Sequence, residues 1–217
     1  MKKTNYRLTF LSCYLGYIVQ AVVVNLSPLF FIVFQSDFGI SYGNLANLVL
    51  ICFFVQLFID FASIKLCDII NYHTLAVIAN LLAAAGLICL GTLPMVMNHY
   101  AGIVIAVIIS SIGSGFIEVI ISPIVDAIPA DSGNSSMSML HSFYCWGQVI
   151  TVLFSTIALA IIGKDNWYFI PICWAIIPLV NAILFIKAPL PEFVKKEERT
   201  PIKKLFSSKT FIIFIII

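Results

Sequence analysis

Charged side chains are what this chain has least of. Asp, Glu, Lys and Arg make up 10% of its 217 residues, where a soluble domain carries about a quarter. That scarcity excludes a water-exposed globule, whose surface needs far more charge. Catalytic signatures are missing as well. The chain holds no H-E-x-x-H, no G-x-S-x-G, no G-x-x-x-x-G-K-[ST] and no G-x-G-x-x-G. No ATP-binding domain is present, and neither an enzyme nor a cofactor is expected. His73, His99 and His141 fall near the ends of different apolar runs, which opposes a shared metal site. The cysteines form no C-x-x-C pair. Cys13, Cys52, Cys89, Cys145 and Cys173 lie within apolar runs and Cys67 in a polar one. They read as core thiols rather than as disulfides or metal ligands.

What is there is apolar. Hydrophobic residues make up 61% of the chain and mean hydropathy is +1.08. Six runs are about 20 residues or longer, the length needed to cross a hydrocarbon core of ~30 Å. They cover residues 8–34, 45–64, 74–94, 101–128, 137–163 and 168–186. The expected fold class is all-α, a polytopic transmembrane helical bundle. Residues 1–187 form the six-helix bundle, 188–208 a polar linker, and 209–217 the start of a truncated seventh helix. The last run is too short to span, since helix rises only ~1.5 Å per residue. The N-terminal run is too long for the h-region of a cleavable signal and is the first span.

The basic residues fall on one side. Alternate loops of a polytopic chain share a face of the membrane. The N-terminus and residues 65–73, 130–136 and 187–209 hold Lys2, Lys3, Arg7, Lys65, Lys187, Lys195, Lys196, Arg199, Lys203, Lys204 and Lys209. The opposite loops hold Lys164 alone. Positive charge stays inside, so the N-terminus and the linker are expected in the cytoplasm, in a cell (plasma) membrane. The linker reads as solvated chain, with lipid headgroups as a second partner for its lysines. Tyr42, Tyr72, Tyr100, Trp167 and Tyr168 fall where an interfacial aromatic belt belongs. No nucleic-acid partner is expected.

One acid breaks the fourth apolar run. A carboxylate at that depth costs on the order of 2.5–3.5 kcal/mol by insertion scales, so Glu118 is expected to face a cavity or a partner. Ser111, Ser114, Glu118 and Ser122 follow helical spacing and form one stripe. Gly113 and Gly115 allow a neighbour to approach, and Pro123 removes a backbone donor. Together they suit a helix that lines a water-filled cleft. Desolvation disfavours the charged form of a carboxylate, which suits Glu118 to taking up and releasing protons; holding helices together is the alternative role. In the fifth run His141, Tyr144 and Gln148 share a face. Tyr144 and Gln148 bracket Glu118 in depth and are candidates for the same cleft, while His141 reads as interfacial. In the first run Asn25 is near mid-membrane, beside Gln20, Ser27 and Pro28. Its two readings are an interhelical hydrogen bond and a substrate contact. In the second run Gln56, Asp60 and Ser63 share a face. Asp60, with Lys65 and Asp68 just beyond it, reads as a structural network at the cytoplasmic surface. Asp126 reads as interfacial.

These features together resemble the N-terminal half of a major facilitator superfamily transporter, over nearly the whole chain. Residues 64–73 (I-K-L-C-D-I-I-N-Y-H) stand where that family carries a G-x-x-x-D-R-x-G-R-R-type motif, with the acid kept as Asp68. Residues 113–123 (G-S-G-F-I-E-V-I-I-S-P) and 140–147 (L-H-S-F-Y-C-W-G) are similar to the fucose permease and sugar-permease branch. There a G-x-G-x-x-E-x-x-x-N-P pattern carries a membrane acid; Glu118 and Pro123 match it, and Ser122 replaces the asparagine. The first-helix acid of that branch has no counterpart near Asn25, and the glycine-proline motif of antiporters is absent from the fifth helix. The resemblance implies a secondary active transporter that moves a small polar, sugar-like solute with protons by alternating access. It implies that Glu118 couples protons and that Asn25, Ser114, Ser122, Tyr144 and Gln148 line the substrate cleft. It further implies that a C-terminal six-helix half completes the site. The alternative is a non-transporting fragment or membrane scaffold protein.

Overall fold

In lipid the backbone must satisfy its own hydrogen bonds, which leaves the helix as the spanning element for a chain of this composition. The computed structural model describes residues 5–129, 133–191 and 193. Six helical spans cross it, and among the described residues there is no strand. The first span is α1 (Arg7–Leu29) and α2 (Phe31–Phe38). Pro28 lacks the N–H that would continue the ladder, and the chain tightens at Phe30, whose N–H bonds the Ser27 carbonyl at 3.1 Å. Next come α3 (Tyr42–Ile69), α4 (Tyr72–Val96) and α5 (His99–Ala127). Each starts at a side-chain cap: Ser41 accepts from the Asn44 N–H, Asn71 from His73 and Asn98 from Ala101. The fifth span is α6 (Gly133–Ile162). A short turn at Lys164–Asn166 leads to α7 (Phe169–Trp174) and α8 (Ile176–Lys187), which share the sixth span. Pro178 withholds the donor that would have bridged their junction at Ala175.

Two expected loops are helix. Residues 65–69 continue α3 because no glycine or proline stands between Phe61 and Asn71. Residues 133–136 are the first turn of α6. Of the expected linker, 188–191 and 193 are described, and they turn back onto the bundle. The Thr9 hydroxyl donates to the Pro189 carbonyl at 2.5 Å, and Phe193 stacks on Tyr72 with centroids 4.2 Å apart. The rest of the linker and the expected seventh helix lie outside the described residues.

Two apolar cores occupy the two ends of the bundle. The end nearer the N-terminus holds Tyr17, Leu75, Ile117, Ile121 and Phe185. The other holds Leu26, Phe30, Phe34, Leu87, Ile103 and Trp167. Trp167 is not a belt residue: it is 2% exposed, with its ring 5.2 Å from Phe30 and 5.1 Å from Phe34. The turn after α6 folds it inward. At the same end the Lys164 ammonium donates to Asp37 Oδ1 at 2.9 Å. That carboxylate raises the pKa of Lys164 above the usual lysine value.

α4 and α5 pack most closely. A methyl group at Gly86 would strike the backbone of Ser110, and one at Gly113 the backbone of Ala79 and Ala83. Small residues at such a seam let two helix backbones touch. α1, α4 and α5 are mostly buried, whereas α3 and α6 are mostly exposed. Phe54, Phe58 and Phe61 of α3 and Val149, Leu153 and Phe154 of α6 point outward.

Candidate functional site

The polar stripe of α5 is zipped to its neighbours. Ser114, Glu118 and Ser122 sit one helical turn apart, and each meets a different side chain. Gln56 of α3 donates its Nε2 to Ser114 Oγ at 3.0 Å. Gln20 of α1 donates its Nε2 to Glu118 Oε2 at 2.7 Å. Tyr17 Oη and Ser122 Oγ share a hydrogen bond of 2.9 Å. A buried polar group without a partner costs about 1–3 kcal/mol, so the stripe orders α1 and α3 around α5.

Beside the stripe opens a cleft of about 680 Å³. Glu118 contributes from α5 and Asp60 from α3; Gln20 and Tyr17 contribute from α1. His141, Tyr144 and Gln148 face them from α6. The Tyr17 ring meets His141 edge-on at 5.6 Å and Tyr144 at 6.2 Å. Two acids therefore share one cavity with aromatic rings and amides, and among the described residues no Lys or Arg lines it. Nor does any group of three His, Cys, Asp or Glu among the described residues stand ready for a metal ion.

The sequence-derived candidates divide. Glu118, Tyr144 and Gln148 come together at the cleft. Glu118 opens onto it and is exposed there, not enclosed by protein. Asn25 does not reach it. Its amide turns back to the Ala21 carbonyl at 2.8 Å, and it lines a second cavity of about 200 Å³ with Ser27, Ser110 and Ser111. Ser114 and Ser122 are not among the cleft's lining; their hydroxyls are engaged by Gln56 and Tyr17. Asp60 belongs to the cleft and not to a surface network with Lys65. Five residues turn a helix by about 500°, so Lys65 stands about 140° away around α3, and its side chain is exposed. The side chain of Asp68 lies outside what the structure describes.

Sequence reasoning passed over Tyr17, Gln20 and Gln56 as site residues. Their signal was spacing: Tyr17, Gln20 and Val24 share a face of α1, and all three line the cleft. It also missed Asn80 and Asn181, both fully buried, whose amides meet at 3.0 Å between α4 and α8.

Comparison with known proteins places this geometry. The family model of the Major Facilitator Superfamily matches residues 10–217. No curated protein matches the sequence. Among solved structures, the peptide transporter POT in complex with sulfate superposes with a TM-score of 0.66 at 14% identity, over 96% of this chain and 44% of that one. A POT family transporter in complex with a thioalcohol-conjugated peptide gives a TM-score of 0.64 at 15% identity, over 96% of this chain and 45% of that one. The chain thus spans less than half the length of the transporters it matches, and at such identities the likeness is one of fold.

Proposed function

This chain belongs to the major facilitator superfamily, and on that premise we propose that it is one wall of a secondary active transporter. The transporter moves a small polar solute by alternating access, two helical halves rocking around a site near the midplane. Protons couple to the solute at Glu118. The observation that carries this reading is the Gln20–Glu118 hydrogen bond at the edge of the cleft. An ionised Glu118 accepts from the Gln20 amide nitrogen. A protonated Glu118 gains an O–H donor, and a turn of the same amide presents its oxygen instead. The amide can therefore satisfy both protonation states, so neither leaves the pair without a hydrogen bond. Hydrogen-bond donors of a solute, sugar hydroxyls among them, find acceptors in the cleft's carboxylates and amides.

The same reading places the N-terminus and the basic stretch at 188–208 in the cytoplasm of a plasma-membrane protein, with the apolar residues 209–217 opening a second half. One-sided lysines and arginines support that orientation. The test is proton-linked uptake by the protein that carries this chain, reconstituted in liposomes. Wild type should accumulate solute under an imposed pH gradient, and Glu118→Gln should lose the response to the gradient. A Glu118→Gln protein whose uptake still follows the gradient removes Glu118 as the coupling group.

A further inference from the structure

The charge of the cleft narrows the class of solute. Asp60 and Glu118 face one cavity from α3 and α5. Like charges at a shared site repel, and a cation between them relieves the repulsion. Among the described lining residues there is no Lys or Arg, and the single base, His141 of α6, meets the Tyr17 ring edge-on. Gln20, only 6% exposed, lines the same cavity; its nitrogen is spent on Glu118, and its Oε1 has no partner. Gln20 thus backs Glu118 with a buried acceptor that has no partner of its own. The rings of Tyr17 and Tyr144 complete the surroundings, and aromatic faces attract cations.

A second observation concerns shape. The cavity of about 200 Å³ around Asn25 adjoins the cleft, since Val24 and Phe53 line both. Its remaining wall is largely apolar, with Phe31, Leu48, Val49 and Val107. It is roomy enough for a small ring or branched alkyl group and too apolar to hold a second charge.

Resting on the proposed transport function, we infer that the solute is an amphipathic organic ammonium ion. Its charged nitrogen sits between Asp60 and Glu118, and its apolar substituent enters the cavity behind Val24 and Phe53.

The test is binding of radiolabelled phenethylamine to the purified full-length protein carrying this chain. Phenethyl alcohol keeps the shape without the charge, phenylacetate reverses the charge, and methylamine keeps the charge without the ring. Each should compete about tenfold or more weakly than phenethylamine itself, because a desolvated charge contact and a buried ring are each worth at least that much. Asp60→Asn should weaken binding about tenfold, and Asp60→Glu should restore most of it. Val49→Trp should fill the apolar cavity and bring phenethylamine down to methylamine. Asp37→Asn, at the other end of the bundle, should change nothing and controls for folding. The inference is overturned if no amine binds, if phenethyl alcohol competes as well as the amine, or if Asp60→Asn binds normally. Proton-linked uptake of a neutral solute without amine binding would sink this inference and leave the proposed function standing. Amine binding without any proton-linked uptake would do the reverse.

Discussion

The amide of Gln20 in α1 and the carboxylate of Glu118 in α5 meet at 2.7 Å, although 98 residues separate them in the chain. This bond joins two helices and lies on the wall of the cavity that both residues line. Its two parts answer differently to substitution. Glu118→Gln keeps a hydrogen-bonding partner for Gln20, so the folded protein should persist with a Tm near that of wild type while the pH response of uptake disappears. Gln20→Leu leaves the carboxylate without its donor and should lower uptake while keeping some dependence on pH. Liposome uptake at a series of imposed gradients, with Tm measured on the same preparations, separates the two.

The Gln56–Ser114 bond tests whether the lower stripe is structural. Interhelical hydrogen bonds in membranes contribute about 0.6 kcal/mol on average and up to about 2 kcal/mol. Ser114→Ala should therefore destabilise the bundle by about 1 kcal/mol, because it also leaves the buried Gln56 amide unpaired. A double-mutant cycle with Gln56→Leu, read by reversible unfolding in mixed micelles, should recover most of that coupling. Solute affinity should not follow Ser114→Ala, since Ser114 is outside the cleft's lining.

The seam between α4 and α5 should tolerate no added volume. Gly113→Val places branched carbons against the backbone of Ala79 and Ala83. Overpacking costs typically about 1–3 kcal/mol, and here the obstacle is backbone, which cannot rotate away. The protein should lose folded yield and Tm by size-exclusion and thermal scanning. Gly43→Val is the control, because a methyl there meets open space.

The Lys164–Asp37 pair should lose its effect at high pH. The folded pKa of Lys164 is raised by Asp37 and that of Asp37 is lowered in part by Lys164, so the pair's stabilisation is complete between the unfolded carboxylate and unfolded lysine values, and is lost as pH rises through the folded lysine value or falls through the folded carboxylate value. Lys164 is exposed, and exposed pairs contribute little. Thermal scans of wild type and Lys164→Met should differ slightly and constantly through neutral pH, and the difference should vanish in the alkaline range.

Much of this was legible because lipid permits so few solutions. Run length alone located all six spans to within a few residues, and the serine spacing around Glu118 identified the face of α5 that meets other helices. What stayed hidden was adjacency. Gln20 and Asn25 are equally polar on paper, and only packing decides that one bonds Glu118 while the other bonds its own helix. Trp167 stands where an interfacial residue belongs, yet the turn after α6 folds it inward. The Asn80–Asn181 pair joins positions 101 residues apart, and no local pattern couples two buried amides across that distance. Asp60 stands near Lys65 in sequence, but helical rotation turns the two about 140° apart, and Asp60 faces the cleft.

The glycine seam also has a mechanical meaning. With backbone against backbone at Gly86 and Gly113, α4 and α5 have no side-chain layer between them in which to shear. They form a single stiff wall, and Glu118 is fixed to it.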